Sequence, residues 1–123
     1  MTLKILVVDD EPDFAAFVAD AVEELGHAPE LATTPKEFAS AYSNETDVIF
    51  LDLFMPDMDG IEVLRFLSEN GSRSSVVLMS GGDEALLKAG REIAQERGIS
   101  VLGVLHKPIQ LDSISDVLAN KAP

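Results

Sequence analysis

The sequence predicts an α/β fold: a doubly wound sheet of five parallel strands with helices on both faces. Three observations carry that reading. Five apolar, largely β-branched runs alternate with five helical patterns along the chain. Several of the runs are continuous rather than alternating, as in strands buried on both faces of a parallel sheet. Finally, the connections have the ordinary length of crossovers, which carry the chain back to start the next strand in the same direction.

The elements follow in order. Leu3 to Val8 is a buried strand that ends at Asp9-Asp10. Glu11-Pro12 opens a helix, with proline in the first turn and acidic side chains near the positive end of the dipole. Phe14, Phe17, Val18, Ala21, Val22 and Leu25 repeat at steps of three and four and predict its core-facing stripe. Ala15 and Ala19 fall off that stripe. They are expected as small exposed residues beside the acidic rim, where a partner helix could approach closely. Gly26 stops the helix.

Ala28 to Ala32 is a short strand whose Pro29 suits a sheet edge. Thr34-Pro35 reads as an N-cap followed by proline at the first helical position, with the helix running to about Tyr42. A polar loop, Ser43 to Asp47, leads into the longest signal in the chain, Val48-Ile49-Phe50-Leu51-Asp52. Met55-Pro56 keeps the chain extended, and Asp59-Gly60 turns it into a short amphipathic helix built on Ile61, Val63, Leu64 and Leu67. Asn70-Gly71 ends that helix. Ser75 to Met79 is a fourth strand and delivers Ser80, then Gly81-Gly82. A helix from Asp83 to Arg97 carries Leu86, Leu87, Ala89, Ile93 and Ala94. Val101 to Leu105 is the fifth strand, ending at His106-Lys107-Pro108, and a last helix spans about Leu111 to Ala119.

With 123 residues the chain reads as one domain, 1–123, large enough for a core without staples. There is no cysteine, hence no disulfide framework or thiolate metal site. No visible signal peptide precedes the first strand, and no apolar run approaches the roughly 18 residues that span a bilayer. A cytoplasmic protein is expected. The net charge of −13, from 22 acidic and 9 basic residues, argues against direct nucleic-acid binding and against an anionic membrane.

In a parallel sheet the carboxyl ends of all strands face one rim, and reactive groups collect there. Asp9, Asp10, Asp52, Ser80 and Lys107 all stand at strand ends. Each alone has an ordinary reading: a helix-start charge, a strand terminator, a turn serine, a surface lysine. Agreement of the whole set on one rim favours a joint role. Clustered carboxylates repel one another unless a cation joins them. Oxygen ligands without histidine or cysteine select a hard ion, Mg²⁺ first. Such an ion, with an ammonium and a hydroxyl around a free carboxylate, suits an incoming phosphoryl group, and aspartate is a competent nucleophile for it.

Asp9-Asp10, Asp52 within Asp-Leu-Phe-Met-Pro-Asp-Met-Asp-Gly, Ser80 and Lys107-Pro108 resemble the signature of response-regulator receiver domains of two-component signalling. The resemblance covers essentially the whole chain. It implies a flavodoxin-like fold with strand order 2-1-3-4-5 and Asp52 as the phosphoacceptor. It implies Asp10, Asp52 and the backbone carbonyl of Phe54 as direct Mg²⁺ ligands, with Asp9 acting through water. Ser80 would be the switch hydroxyl, and Lys107 would contact the phosphoryl group, with a cis bond to Pro108. The implied donor is a sensor histidine kinase or a histidine phosphotransfer protein, and the signal would pass to a downstream protein or a fused output domain.

Three positions depart from the family's usual pattern. Val104 stands where an aromatic often couples to the switch hydroxyl. Phe54 is bulky and apolar where polar residues are common, and Gly82 offers no side chain beside the hydrolytic water's path. The signal is therefore expected to leave through backbone movement of Ser80-Gly81-Gly82-Asp83, where two glycines lower the cost of changing dihedrals. An aspartyl-phosphate phosphatase or phosphotransferase would usually carry a second aspartate two residues after the nucleophile, and Phe54 occupies that place. A phosphorylation-independent binding module would have no need of the intact acidic pair, Asp52 and Lys107. The chain is expected to act as a signalling module rather than an enzyme. His27 and His106 read as ordinary histidines.

Overall fold

The computed structural model describes residues 2–56 and 58–121; Met1, Asp57, Ala122 and Pro123, and with them both expected domain limits, lie outside the described residues. The elements run β1 (Lys4–Val8), α1 (Pro12–Glu24), β2 (Ala28–Ala32), α2 (Pro35–Ala41), β3 (Val48–Asp52), α3 (Gly60–Glu69), β4 (Ser75–Ser80), α4 (Glu84–Glu96), β5 (Val101–His106) and α5 (Leu111–Leu118). All strand pairs are parallel, and the sheet order is β2-β1-β3-β4-β5. This is the doubly wound, flavodoxin-like arrangement with order 2-1-3-4-5.

The continuous apolar runs divide cleanly between two layers because successive side chains on a strand point to opposite faces. Ile5, Val7, Val48, Phe50, Val77 and Met79 pack beneath α1 and α5. Leu6, Val8, Ile49, Leu51, Val76 and Leu78 pack beneath α2, α3 and α4. Burial on both sides explains why the interiors of β3 and β4 carry no polar alternation. β5 departs from period two. Leu102 and Leu105 share the first face while Val101 and Val104 share the second, three residues apart in each case. A register shift opposite Val76 and Val77 accounts for it.

Local chemistry sets the helix starts. Thr34 Oγ1 accepts from the Glu37 amide at 3.1 Å, and Glu37 reaches back to the Thr33 amide at 2.7 Å. Asp59 and Asp83 cap α3 and α4 through the amides of Ile61 and Leu86. β2 is one of the two edge strands, with Pro29 aligned beside Ile5 and most of its residues exposed.

The stripe expected on α1 holds at Val18, Ala21 and Val22, which are buried, but its phase is off by about one residue. Ala15 is 0% and Ala19 8% exposed, whereas Phe17 is 40% exposed and Leu25 also lies at the surface. The buried set is Ala15, Val18, Ala19, Ala21 and Val22, itself an i, i+3, i+4, i+7 pattern turned by about one residue. The alanines face the sheet, so the helix can lie close to it, and Phe14 packs at the margin of that core. Neither Ala15 nor Ala19 is therefore available for a partner helix. We expect Ala15→Glu to destabilise the fold by about 3 kcal/mol or more, because it puts an unpaired carboxylate in the core. Urea unfolding checks this; a midpoint equal to wild type would contradict the burial.

Candidate functional site: an acidic pocket with one lysine

Backbone bonds extend the parallel ladder past the strand ends and set the rim. The amide of Asp9 donates to the Ala32 carbonyl at 3.2 Å, that of Leu53 to Met79 at 3.2 Å, and that of Lys107 to Ser80 at 2.8 Å. Asp9 and Asp10 thus follow β1, Asp52 and Ser80 are the last residues of β3 and β4, and Lys107 follows β5. The structure brings the carboxylates together: oxygens of Asp9, Asp10 and Asp52 lie within 4.8 Å of one another. Asp9 is 0% and Asp52 2% exposed, and Asp10 is half-buried.

Lys107 bridges the two buried acids. Its Nζ lies 2.9 Å from Asp9 Oδ2 and 3.0 Å from Asp52 Oδ2. Glu11 stands 3.9 Å away on the exposed side. The other oxygens accept backbone donors, the Glu11 amide on Asp9 Oδ1 at 2.9 Å and the Phe54 amide on Asp52 Oδ1 at 3.1 Å. Among the described residues, the hydrogen bonds holding Asp52 thus come from an ammonium and an amide, which fixes its orientation while leaving it at the rim.

One cation stands among three carboxylates, and burial acts on all of them. Burial pushes the Asp52 carboxyl up to about 6; Lys107 opposes this and the Asp9 charge adds to it. Asp10 is raised as well, first by burial and then by Asp9. For Lys107, desolvation works against the charged form, but its hydrogen bonds to Asp9 and Asp52 outweigh it and the net shift is upward. The ammonium stays charged and is shared. The donor set fits a hard divalent cation: oxygens alone, convergent, and short of positive charge.

The turn after Asp52 depends on Gly60. A Cβ there would fall 2.8 Å from both the Asp52 carbonyl oxygen and Leu53 Cα, so only glycine lets α3 start against the end of β3. Ser80 is buried, and its Oγ accepts from the Gly82 amide at 3.3 Å. Gly82 has φ +113°, a conformation that side-chain-bearing residues rarely adopt. Beside Ser80 runs a cleft of about 270 Å³, lined by Leu53, Phe54, Gly81, Asp83, Leu86 and Leu87. Phe54 is 64% exposed. The Lys107–Pro108 bond is cis. His106 is exposed, and His27 accepts from the Leu3 amide at 3.0 Å, beside the start of β1 and away from the rim. Sequence reasoning gave no site role to Phe14, whose ring centroid lies 4.4 Å from Lys107 Nζ. Its position in a helical stripe signalled only packing.

Fold and pocket together define a doubly wound α/β domain with an acidic, lysine-bridged site at the carboxyl edge of its sheet. The chain belongs to the response regulator receiver domain family, whose model matches residues 5–119. Receiver domains are the signalling domains of two-component response regulators. Over 119 residues the chain is 33% identical to the cyclic di-GMP phosphodiesterase RocR of Pseudomonas aeruginosa, covering 94% of this chain but 30% of that protein. It also spans less than half, 46%, of the positive alginate biosynthesis regulatory protein of the same organism. A response regulator from Colwellia psychrerythraea superposes with TM-score 0.83 at 33% identity, covering 97% of this chain and 96% of that one. A signal receiver domain from Bermanella marisrubri gives 0.84 at 27% identity, covering 98% of both chains.

With metal chelated, the native Asp52 carboxyl keeps its proton up to about 6, whereas an unfolded aspartate releases it near 3.8. Between those values the native state binds more protons, so this group's share of stability falls as pH rises through the window and is flat above it. Asp52→Asn removes that slope and should gain stability relative to wild type from about pH 4 to about pH 6. Urea unfolding in EDTA measures the difference; one that stays constant across the window would contradict the raised carboxyl.

Proposed function

We propose that the chain is a phosphoacceptor: it takes a phosphoryl group from a phosphohistidine donor onto Asp52 and so switches partner binding. The observation that carries this reading is the Lys107 ammonium shared by Asp9 and Asp52 in a pocket that remains net negative. A carboxylate oxygen of Asp52 attacks phosphorus in line with the P–N bond. The O–P bond forms as P–N breaks, and the electron pair stays on the imidazole nitrogen, which takes a proton from solvent. Lys107 donates to a phosphoryl oxygen, and the Ser80 hydroxyl turns from the Gly82 amide toward another. Asp10, Asp52 and the backbone carbonyl of Phe54 would hold Mg²⁺ directly, and Asp9 through water. Bound there, the ion supplies the positive charge that a dianionic group requires beside three carboxylates.

The donor is a sensor histidine kinase or a histidine phosphotransfer protein in the cytoplasm, and the recipient is a downstream protein or a fused output domain. None of the described helices is long and apolar enough to cross a membrane, and the net charge of −13 disfavours direct contact with nucleic acid. The domain catalyses only its own phosphorylation and dephosphorylation. With Phe54 two residues after Asp52 there is no second aspartate for acid–base work, which sets the phosphatase reading aside. With Val104 half-buried against the second layer, the signal leaves through the Ser80–Asp83 loop and the start of α4.

Incubation with a small phosphodonor tests this. Wild type should gain one phosphoryl group only when Mg²⁺ is present, and Asp52→Asn should gain none. Ser80→Ala should still be labelled but should lose the change in amide exchange across Ser80 to Arg97. Label that survives in Asp52→Asn at wild-type stoichiometry would overturn the assignment.

A further inference from the structure

We infer that Phe14 is a positioning residue for phosphoryl transfer, holding the Lys107 ammonium by its ring face; this rests on the phosphoacceptor reading. An ammonium has three donors and no acceptor. Two of its directions are taken by Asp9 at 2.9 Å and Asp52 at 3.0 Å. The Phe14 centroid, 4.4 Å from Nζ, occupies another side of the same nitrogen. Glu11 is too distant at 3.9 Å, and too exposed, to share that duty on equal terms.

A ring is chemically suited to the place. Its face attracts a cation through its quadrupole, most strongly where water is scarce. It brings no formal charge, whereas a carboxylate or hydroxyl there would add charge or compete for a proton of the ammonium. The pocket already holds more carboxylates than cations, and Asp52 must stay accessible. Phe14 therefore holds Nζ on a side that neither aspartate takes, leaving the other donors to anionic oxygens, first those of the two aspartates and then those of the phosphoryl group. The backbone supports the ring: α1 is fixed on the sheet through Ala15, Val18 and Ala19, immediately next to Phe14 on the helix. Phe17 stands beside it, with ring centroids 6.2 Å apart.

Phe14→Leu keeps an apolar side chain of similar reach and removes the face; Phe14→Tyr keeps the face. Two readouts are needed. The first is the proton shift of the Lys107 ε-methylene, which a nearby ring face moves upfield: wild type and Phe14→Tyr should show the displacement and Phe14→Leu should not. The second is the rate of Asp52 phosphorylation by acetyl phosphate with saturating Mg²⁺, across donor concentrations. Phe14→Leu should lower the maximal rate about three- to tenfold, a fold-change in the range expected for losing one cation–π contact. The donor concentration for half-maximal rate should change little, and Phe14→Tyr should restore the rate. Circular dichroism and urea midpoints identify the folded fraction, to which rates are normalised. A Phe14→Leu protein that is folded and phosphorylated at the wild-type rate overturns the inference, as does a Tyr variant no faster than Leu. If wild type shows the upfield shift but never accepts a phosphoryl group, the phosphoacceptor reading fails and this role falls with it. If wild type is phosphorylated but shows no shift, the positioning role alone is refuted.

Discussion

Two carboxylates that burial has stripped of water, Asp9 and Asp52, share the single ammonium of Lys107. Removing either kind of partner would leave a buried charge uncompensated, which is among the costlier defects a small fold can carry. The three residues stand at the ends of the first, third and fifth strands, 98 and 55 positions separating the lysine from its two acids. The interaction therefore depends on the strand order. With β1 and β3 adjacent and β5 two strands beyond, the lysine must reach across the rim, and the backbone bond from Lys107 to Ser80 fixes where that reach begins.

With one ammonium set against three carboxylates, the pocket favours incoming positive charge. Asp52 and Asp10 are both raised, and the lysine is bound too firmly to its carboxylates to lose its proton. A phosphoryl group brings charge of the wrong sign for such a pocket unless a cation accompanies it. The same electrostatics explains why the aromatic ring of Phe14, polarisable but without formal charge, fits beside Lys107.

Most of this architecture was legible from local chemistry. Continuous β-branched runs ending in Asp9, Asp52, Ser80 and Lys107 were enough to assemble the rim, because a parallel sheet allows its strand ends no other common edge. Thr34 announced the start of α2 through capping chemistry, whereas Asp59 read only as a turn residue and Asp83 as the first residue of α4, and the structure makes both of them N-caps. The first helix was not legible in the same way. Large apolar residues dominate any periodic reading, so Phe14, Phe17 and Leu25 pulled the predicted stripe off its true phase. The sheet takes Ala15 and Ala19 instead, because close packing at that distance rewards small side chains. Nor could spacing reveal that Phe14 meets Lys107: that contact depends on how far α1 rotates over β1, which many side chains set together. Gly60 belongs with these. It was readable as a turn residue, but its close approach to the Asp52 backbone is a property of the packed fold.

The most direct test of the central claim is chemical mapping of the modified residue. After reaction with a small phosphodonor and Mg²⁺, borohydride reduces an acyl phosphate on an aspartate to homoserine, which peptide mass spectrometry locates. The account predicts homoserine at position 52 and at no other acidic position of the pocket. Homoserine at Asp9 or Asp10, or none in protein that carries label, would contradict it.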